Sequence, residues 1–130
     1  MAMQAPNHPS AAKRVLLVED DVDIRELLVQ VLREETPYQI LAVADGLAAL
    51  KIVRTFTPHL ILLDYLLPGM NGLELYDRVQ ADKVSQDIPS ILISASFSLH
   101  RDDLGERELT ILDKPFDLNV LLETVKQIVN

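Results

Sequence analysis

Short apolar runs alternate with longer segments of helical periodicity along most of the chain. The apolar runs are Val15 to Val18, Ile40 to Val43, Leu60 to Leu63, Ile91 to Ile93 and a short fifth run around Ile111 and Leu112. Strands that are buried on both faces of a parallel sheet are continuously apolar, whereas strict alternation is typical of half-exposed strands. The pattern therefore predicts five strands of a parallel sheet that is covered by helices.

Apolar residues at three- and four-residue steps predict the helices between these runs. In chain order, the apolar stripes are formed by Ile24, Leu27, Leu28, Val31 and Leu32; by Leu47, Leu50 and Val53; by Leu75 and Val79; and by Val120, Leu121, Leu122, Val125 and Ile128. Charges and a glycine interrupt the segment from Ser96 to Leu109, so any helix there should be short or loosely held.

Polar residues before these helices match the types that cap helix N-termini. Asp45 can cap the second helix and Asp117 the last one. Asn71 is followed three positions later by Glu74, which predicts a variant capping box at the start of the third helix.

Five strands alternating with helices in 130 residues predict one α/β domain, a three-layer, doubly wound, five-stranded parallel sheet. Right-handed crossovers place every loop that follows a strand on one edge of the sheet, where such folds bind ligands. We expect this domain to span residues 13–130. Residues 1–12 have no apolar periodicity and are expected to be a disordered arm or a remnant of cloning.

The net charge of the chain limits the classes of partner that it is expected to bind. A net charge of -8 and a pI near 4.7 repel phosphate backbones and anionic lipids, so we expect no direct nucleic-acid partner and no membrane partner. No apolar run approaches the roughly 20 residues of a membrane span, and the N-terminus lacks the pattern of a secretory signal. A cytoplasmic location is the default expectation.

Polar side chains follow the predicted strands at the edge where ligands bind. Glu19 and Asp20 follow the first strand, Asp64 the third, Ser94 the fourth and Lys114 the fifth. Converging carboxylates repel each other by up to ~4 kcal/mol per close pair at an effective dielectric near 20. Such a cluster raises its own pKa values unless something compensates the charge.

A hard divalent cation resolves this repulsion, and oxygen ligands favour Mg²⁺, with Mn²⁺ or Ca²⁺ as substitutes. Lys114 adds a positive charge for a phosphoryl oxygen, and the hydroxyl of Ser94 can donate a hydrogen bond to another. These groups together predict a phosphoryl-transfer site in which a carboxylate is the nucleophile.

From about Lys13 to Asn130, the chain resembles the receiver domain of bacterial two-component response regulators. The resemblance rests on four ordered signals: an acidic pair after the first strand, an aspartate followed by "LLPGMNG", a small hydroxyl residue after the fourth strand, and "KPF" after the fifth. It implies the flavodoxin-like strand order 2-1-3-4-5.

The resemblance implies that Asp64 is the phosphoacceptor and that Mg²⁺ binds beside it. Its ligands would be Asp20 directly, Glu19 through water, Asp64 itself and the backbone carbonyl of Leu66. Asp21, one residue after the acidic pair, would belong to the loop or the helix start instead.

The resemblance also implies how the phosphoryl group is held. Lys114 would bridge Asp64 and a phosphoryl oxygen, Ser94 would move toward the phosphoryl group, and the peptide bond before Pro115 would be cis. In most receivers an aromatic residue lies three positions before the lysine and changes rotamer with the hydroxyl residue. Ile111 occupies that position here, which puts the usual aromatic readout in doubt, so the output surface is expected to differ.

The implied function is signalling and not that of an enzyme, although the domain would promote its own phosphorylation and dephosphorylation. A sensor histidine kinase or phosphotransfer protein would be the donor, and a downstream protein the target. A homodimer could form through the face of residues 96–109, the fifth strand and the last helix.

Family members dock the kinase with the first helix and the loop after the fifth strand, which points to Ile24, Leu27, Leu28, Pro115 and Phe116. The chain would be a single-domain receiver or a fragment of a larger regulator.

Three alternatives use the same fold class. A hydrolase of the haloacid dehalogenase type needs an acid two residues after the nucleophile, where this chain has Leu66. A flavodoxin-like cofactor binder needs a hydroxyl- and glycine-rich loop where this chain has "EDD". A pseudo-receiver scaffold requires the loss of a chemical residue, and none is lost.

Overall fold

The computed structural model describes residues 12–95, 104–107 and 109–130. In chain order, the elements are β1 (Arg14–Val18), α1 (Val22–Glu35), β2 (Gln39–Val43), α2 (Gly46–Phe56), β3 (Leu60–Asp64), α3 (Gly72–Ala81), β4 (Ser90–Ala95), β5 (Thr110–Lys114) and α4 (Leu118–Val129). All neighbouring strands are parallel, in the order β2-β1-β3-β4-β5, which confirms the predicted topology. The predicted short helix between β4 and β5 falls mostly on residues outside the described ranges.

Alternate residues of each central strand point into two separate apolar layers. On one side, Val15 and Leu17 of β1 pack with α1 and α4. On the other side, Leu16 and Val18 pack with α2 and α3. The sheet is therefore buried on both faces, as the continuous apolar runs predicted.

The helices bury narrower stripes than the periodicity predicted. In α2, Ala49 and Val53 are buried, whereas Leu47 is 60% exposed. In α1, Leu28 and Leu32 are buried, whereas Leu27 is 49% exposed. The predicted stripes are thus only partly core, because only residues on the line of closest approach to the sheet reach it.

The predicted helix caps are present. Asp21 caps α1, Asp45 caps α2 and Asp117 caps α4, each with a side-chain oxygen that accepts a backbone N–H. Asn71 and Glu74 form the reciprocal capping box of α3. These caps fix short turns between the strand ends and the helices, and the candidate site lies at those turns. Among the described residues, no helix is both long and apolar enough to cross a membrane.

Candidate functional site

Three carboxylates meet at the carboxyl edge of the two central strands. Glu19 and Asp20 directly follow β1, Asp64 is the last residue of β3, and the two strands are neighbours in the sheet. One carboxylate oxygen from each residue lies within 4.8 Å of the others. Glu19 and Asp64 are buried, whereas Asp20 is exposed. The acids predicted from separate parts of the sequence therefore form one cluster that opens to solvent at Asp20.

A single lysine reaches this cluster from the edge of the sheet. Lys114 is the last residue of β5, and its Nζ donates a hydrogen bond to Oδ2 of Asp64 at 3.1 Å. The carboxylate of Asp64 is 8% exposed, while the lysine side chain is 34% exposed. Lys114 thus pairs with one of the three acids, and this pair can be reached from solvent on the lysine side.

The surroundings of Glu19 raise the pKa of its carboxyl group. Burial, followed by the nearby negative charge of Asp64, raises the pKa of Glu19 to about 7, although the backbone N–H of Asp21 and the charge of Lys114 oppose the rise. Oε2 of Glu19 accepts that N–H at 3.0 Å. A divalent cation among these carboxylates would favour their ionised forms, so the donor set fits a hard cation such as Mg²⁺. The direction agrees with the rise predicted from the sequence, but burial, and not repulsion between carboxylates, is its largest cause.

The loop after β3 runs close to Asp64. The backbone N–H of Leu66 donates to Oδ1 of Asp64 at 3.4 Å, and the Leu66 side chain is 61% exposed. The N–H of Tyr65 donates to the carbonyl of Ile93 at 2.8 Å, which extends the contact of this loop with β4. The loop therefore lies beside the acidic cluster; a ligand role for the Leu66 carbonyl stays a prediction.

Ser94 lies near the site, and its hydroxyl bonds a backbone carbonyl of its own strand. In the sheet, Asp64 pairs with Ile93, the residue before Ser94. Ser94 is 1% exposed, and its hydroxyl donates to the carbonyl of Ala95 at 3.0 Å. Within the described ranges, no hydrogen bond joins it to Asp64. Of the three predicted catalytic side chains, Asp64 and Lys114 form a hydrogen bond. Ser94 follows Ile93, the residue of β4 that pairs with Asp64.

Ile111 packs where the family's aromatic residue was expected. It lies in β5 opposite Leu92 and is half-buried against the apolar layer of α2 and α3, together with Leu104 and Leu109. An aliphatic side chain thus fills this part of the β4–β5 surface.

Gly72 contributes to the site in a way that the sequence analysis missed. A Cβ atom on this residue would lie 2.6 Å from the backbone oxygen of Asp64 and 2.6 Å from Cδ1 of Leu92. Its N–H also donates to the carbonyl of Tyr65 at 2.7 Å. Only glycine allows α3 to start this close to Asp64. The motif "PGMNG" contained the signal, but the motif alone did not show what the glycine approaches.

An apolar groove of about 560 Å³ adjoins the site. The five residues predicted for kinase docking all line it, with Ala95, Lys114 and Leu118. The peptide bond between Lys114 and Pro115 is cis, as the resemblance implied. Lys114 lines the groove and contacts Asp64, so the groove lies beside the acidic cluster.

Comparison with known proteins identifies the family. Residues 15–126 match the family described as the response regulator receiver domain. The chain belongs to this family. The receiver is 36% identical over 119 residues to sporulation initiation phosphotransferase F of Bacillus subtilis, covering 88% of this chain and 92% of that protein. It is 39% identical over 83 residues to the DNA-binding response regulator MtrA of Mycobacterium tuberculosis, covering 64% of this chain but only 35% of that protein.

Solved structures agree with this assignment. The receiver superposes on the response regulator protein TrrA of Thermotoga maritima, solved in complex with Mg²⁺ and BeF, with a TM-score of 0.78 and 35% identity over 89% of this chain and 98% of that one. Receiver domains act in phosphorylation-based two-component signalling, with histidine kinases or phosphotransfer proteins and downstream targets. The predicted family, fold and signalling function are confirmed, and the haloacid dehalogenase alternative has no support.

Proposed function

We propose that Asp64 of this receiver accepts a phosphoryl group from the phosphohistidine of a sensor histidine kinase or phosphotransfer protein. The observation that carries the proposal is the cluster of Glu19, Asp20 and Asp64 within 4.8 Å, with Lys114 at 3.1 Å from Asp64. A carboxylate oxygen of Asp64 forms the new bond to phosphorus while the P–N bond breaks and its electron pair leaves with the imidazole.

Glu19, Asp20, Asp64 and the backbone carbonyl of Leu66 would hold Mg²⁺. When bound, Mg²⁺ would offset the negative charge that builds up on the transferring group. The support is the oxygen-only donor set and the raised pKa of Glu19, both of which indicate a site that favours a cation.

Lys114 would bind a phosphoryl oxygen while it stays within reach of Asp64, since an ammonium group has three donors. The hydroxyl of Ser94 would give up its bond to Ala95 and donate to another phosphoryl oxygen. In the same site, water would later hydrolyse the acyl phosphate. The receiver would thus promote its own phosphorylation and dephosphorylation without acting on a separate substrate.

The phosphoacceptor assignment is tested with acetyl phosphate and Mg²⁺. We expect wild-type protein to gain the mass of one phosphoryl group in intact mass spectrometry and Asp64→Asn to gain none. Asp113→Asn is the matched control, because Asp113 adjoins Lys114 in β5 but is exposed. No mass gain in wild type, or an equal gain in Asp64→Asn, overturns the assignment.

We also propose that the helix bearing the donor phosphohistidine docks in the apolar groove beside Lys114. Ile24 and Leu27 are 37% and 49% exposed and offer an unusual apolar surface on α1. Because Lys114 lines both the groove and the site, a partner in the groove would bring its phosphohistidine next to Asp64.

Docking is tested by comparing phosphoryl transfer from a kinase with phosphorylation by acetyl phosphate. Each phosphorylated histidine kinase of the source organism is first tested for phosphoryl transfer to the wild-type receiver. The fastest donor is then used with Leu27→Asp. We expect this variant to lose most transfer from the kinase but to keep phosphorylation by acetyl phosphate. Leu47→Asp is the control, since Leu47 is 60% exposed on α2. Equal transfer to wild type and Leu27→Asp contradicts the groove as the docking site.

The phosphorylated receiver would bind a downstream protein, or a second copy of itself through the face of residues 96–109, β5 and α4. We assign it to the cytoplasm, since its proposed donor is an ATP-dependent kinase domain. Light scattering with and without beryllofluoride tests the dimer, and an unchanged mass overturns that part of the proposal.

A further inference from the structure

An arginine of α1 holds the backbone of the acidic loop. Arg25 lies near the start of α1, and its Nη1 donates to the carbonyl of Glu19 at 2.8 Å and to the carbonyl of Asp20 at 3.4 Å. We propose that Arg25 is a positioning residue of the receiver, which orients the Glu19–Asp20 backbone for cation binding. The inference rests on the proposed Mg²⁺ site.

The loop needs such a contact because its carbonyls lie beyond the end of β1. The N–H of Glu19 still donates to the carbonyl of Val43 at 3.0 Å, but the strand itself ends at Val18. One guanidinium nitrogen bonds the two successive carbonyls that follow. Because the peptide group is planar, each bond restrains the orientation of one peptide plane and of the backbone from which the acidic side chains project. Arg25 thus restrains the carboxylates of Glu19 and Asp20 through their backbone and not through direct contact.

The contact is with the backbone carbonyls and not with the carboxylates. Arg25 therefore leaves the oxygen atoms of the carboxylates available to a cation, although its positive charge lies close to them. Its charge alone weakens Mg²⁺ binding through repulsion, whereas its positioning strengthens binding. The two effects have opposite signs, so removal of the side chain shows which one dominates.

The same helix supplies a matched control. Nη2 of Arg33 donates to the carbonyl of Ile40 in β2 at 3.2 Å, so Arg33, like Arg25, is an arginine of α1 that bonds a backbone carbonyl. Ile40 pairs with Val15, toward the start of β1 and away from the acidic loop. Loss of Arg33 removes a comparable bond and one positive charge without touching that loop.

The test measures the dissociation constant of Mg²⁺ by calorimetry, without a phosphodonor. We expect Arg25→Ala to weaken binding by about tenfold, the lower end of the effect of residues that orient metal ligands. Arg25→Lys keeps the charge and can bond one carbonyl, so we expect it to bind Mg²⁺ more tightly than Arg25→Ala. Arg33→Ala should bind as wild type does. In metal-free protein, the amide resonances of residues 19–21 should shift in Arg25→Ala and not in Arg33→Ala.

The outcomes separate this inference from the proposed function. Wild-type protein that does not bind Mg²⁺ overturns both. Wild-type binding together with equal or tighter binding by Arg25→Ala overturns the positioning role alone, because the contact would then give no net gain in Mg²⁺ binding. An equal loss in Arg33→Ala also overturns it, since the effect would then come from general stability.

Discussion

Two ion pairs of the receiver differ in geometry and surroundings. Arg107 contacts Asp77 of α3 through two bonds, from Nε at 2.8 Å and from Nη2 at 2.7 Å, and the Asp77 side chain is 50% exposed. Lys114 contacts Asp64 through one bond of 3.1 Å, and the Asp64 side chain is 8% exposed. The pair with the better geometry lies on the surface, and the looser pair lies in the site.

The difference reflects what each cation has to do. A guanidinium fork matches both oxygens of a carboxylate and fixes its partner, which suits a structural contact between α3 and the turn before β5. An ammonium is a point charge on a flexible stem. Lys114 can therefore bind a second oxygen without leaving Asp64, so the looser geometry suits the proposed phosphoryl transfer.

The largest expected difference between the pairs is in phosphorylation. Lys114→Met should slow the reaction with acetyl phosphate by about 100-fold or more, since it removes a charge aimed at the transferring group. Arg107→Met should leave the rate unchanged, because the bonds of Arg107 to Asp77 and to the Leu104 carbonyl lie outside the acidic cluster. Initial rates from intact mass spectrometry test this, and similar rates for the two variants would remove the functional distinction.

The contact at Gly72 links the two pairs, because α3 begins beside Asp64 and carries Asp77 five residues later. Gly72→Ala forces a Cβ against the Asp64 backbone, and we expect a loss of about 1–3 kcal/mol in the free energy of unfolding. Urea denaturation measures this loss. We also expect weaker Mg²⁺ binding than in Ala81→Gly, a control at the far end of α3. If only stability changes, α3 does not position Asp64.

Glu19, in the acidic cluster beside this pair, should also give the metal-free protein an unusual pH dependence. Burial and the charge of Asp64 raise the pKa of Glu19 to about 7, above its usual value of 4.5. Between these values the folded state binds more protons than the unfolded state, so the free energy of unfolding falls as the pH rises through this window. Denaturation in EDTA across this range tests the sign.

Glu19→Gln is the control, since it cannot ionise and should flatten this part of the profile. Saturating Mg²⁺ should do the same or reverse the slope, because it favours the ionised carboxylate. A wild-type profile that matches that of Glu19→Gln in EDTA would show that Glu19 ionises normally.

The sequence predicted the sheet well because buried parallel strands leave continuous apolar runs, as in Leu60 to Leu63. It also placed Asp64 and Lys114 in one site, since parallel strands bring their carboxyl ends to one edge. It missed Arg25 and Gly72, because their roles depend on which backbone atoms they approach in space. It misjudged Leu47 because periodicity gives the spacing of a helix stripe but not the line of closest contact.

The smallest expected effect belongs to the surface pair. Arg107 lowers the pKa of Asp77 through hydrogen bonding, which outweighs the opposing effect of burial. The ionised pair therefore stabilises the folded state above the unfolded pKa, and that contribution is lost as the pH falls below 3.8 through the folded-state pKa. Because both side chains are partly exposed, we expect a coupling energy of about 0.2–1 kcal/mol. A double-mutant cycle of Asp77→Asn and Arg107→Gln, repeated at high salt, measures it. A larger, salt-independent coupling energy would mean that the Asp77–Arg107 pair is as shielded from solvent as the Asp64–Lys114 pair. The two pairs would then differ in geometry alone.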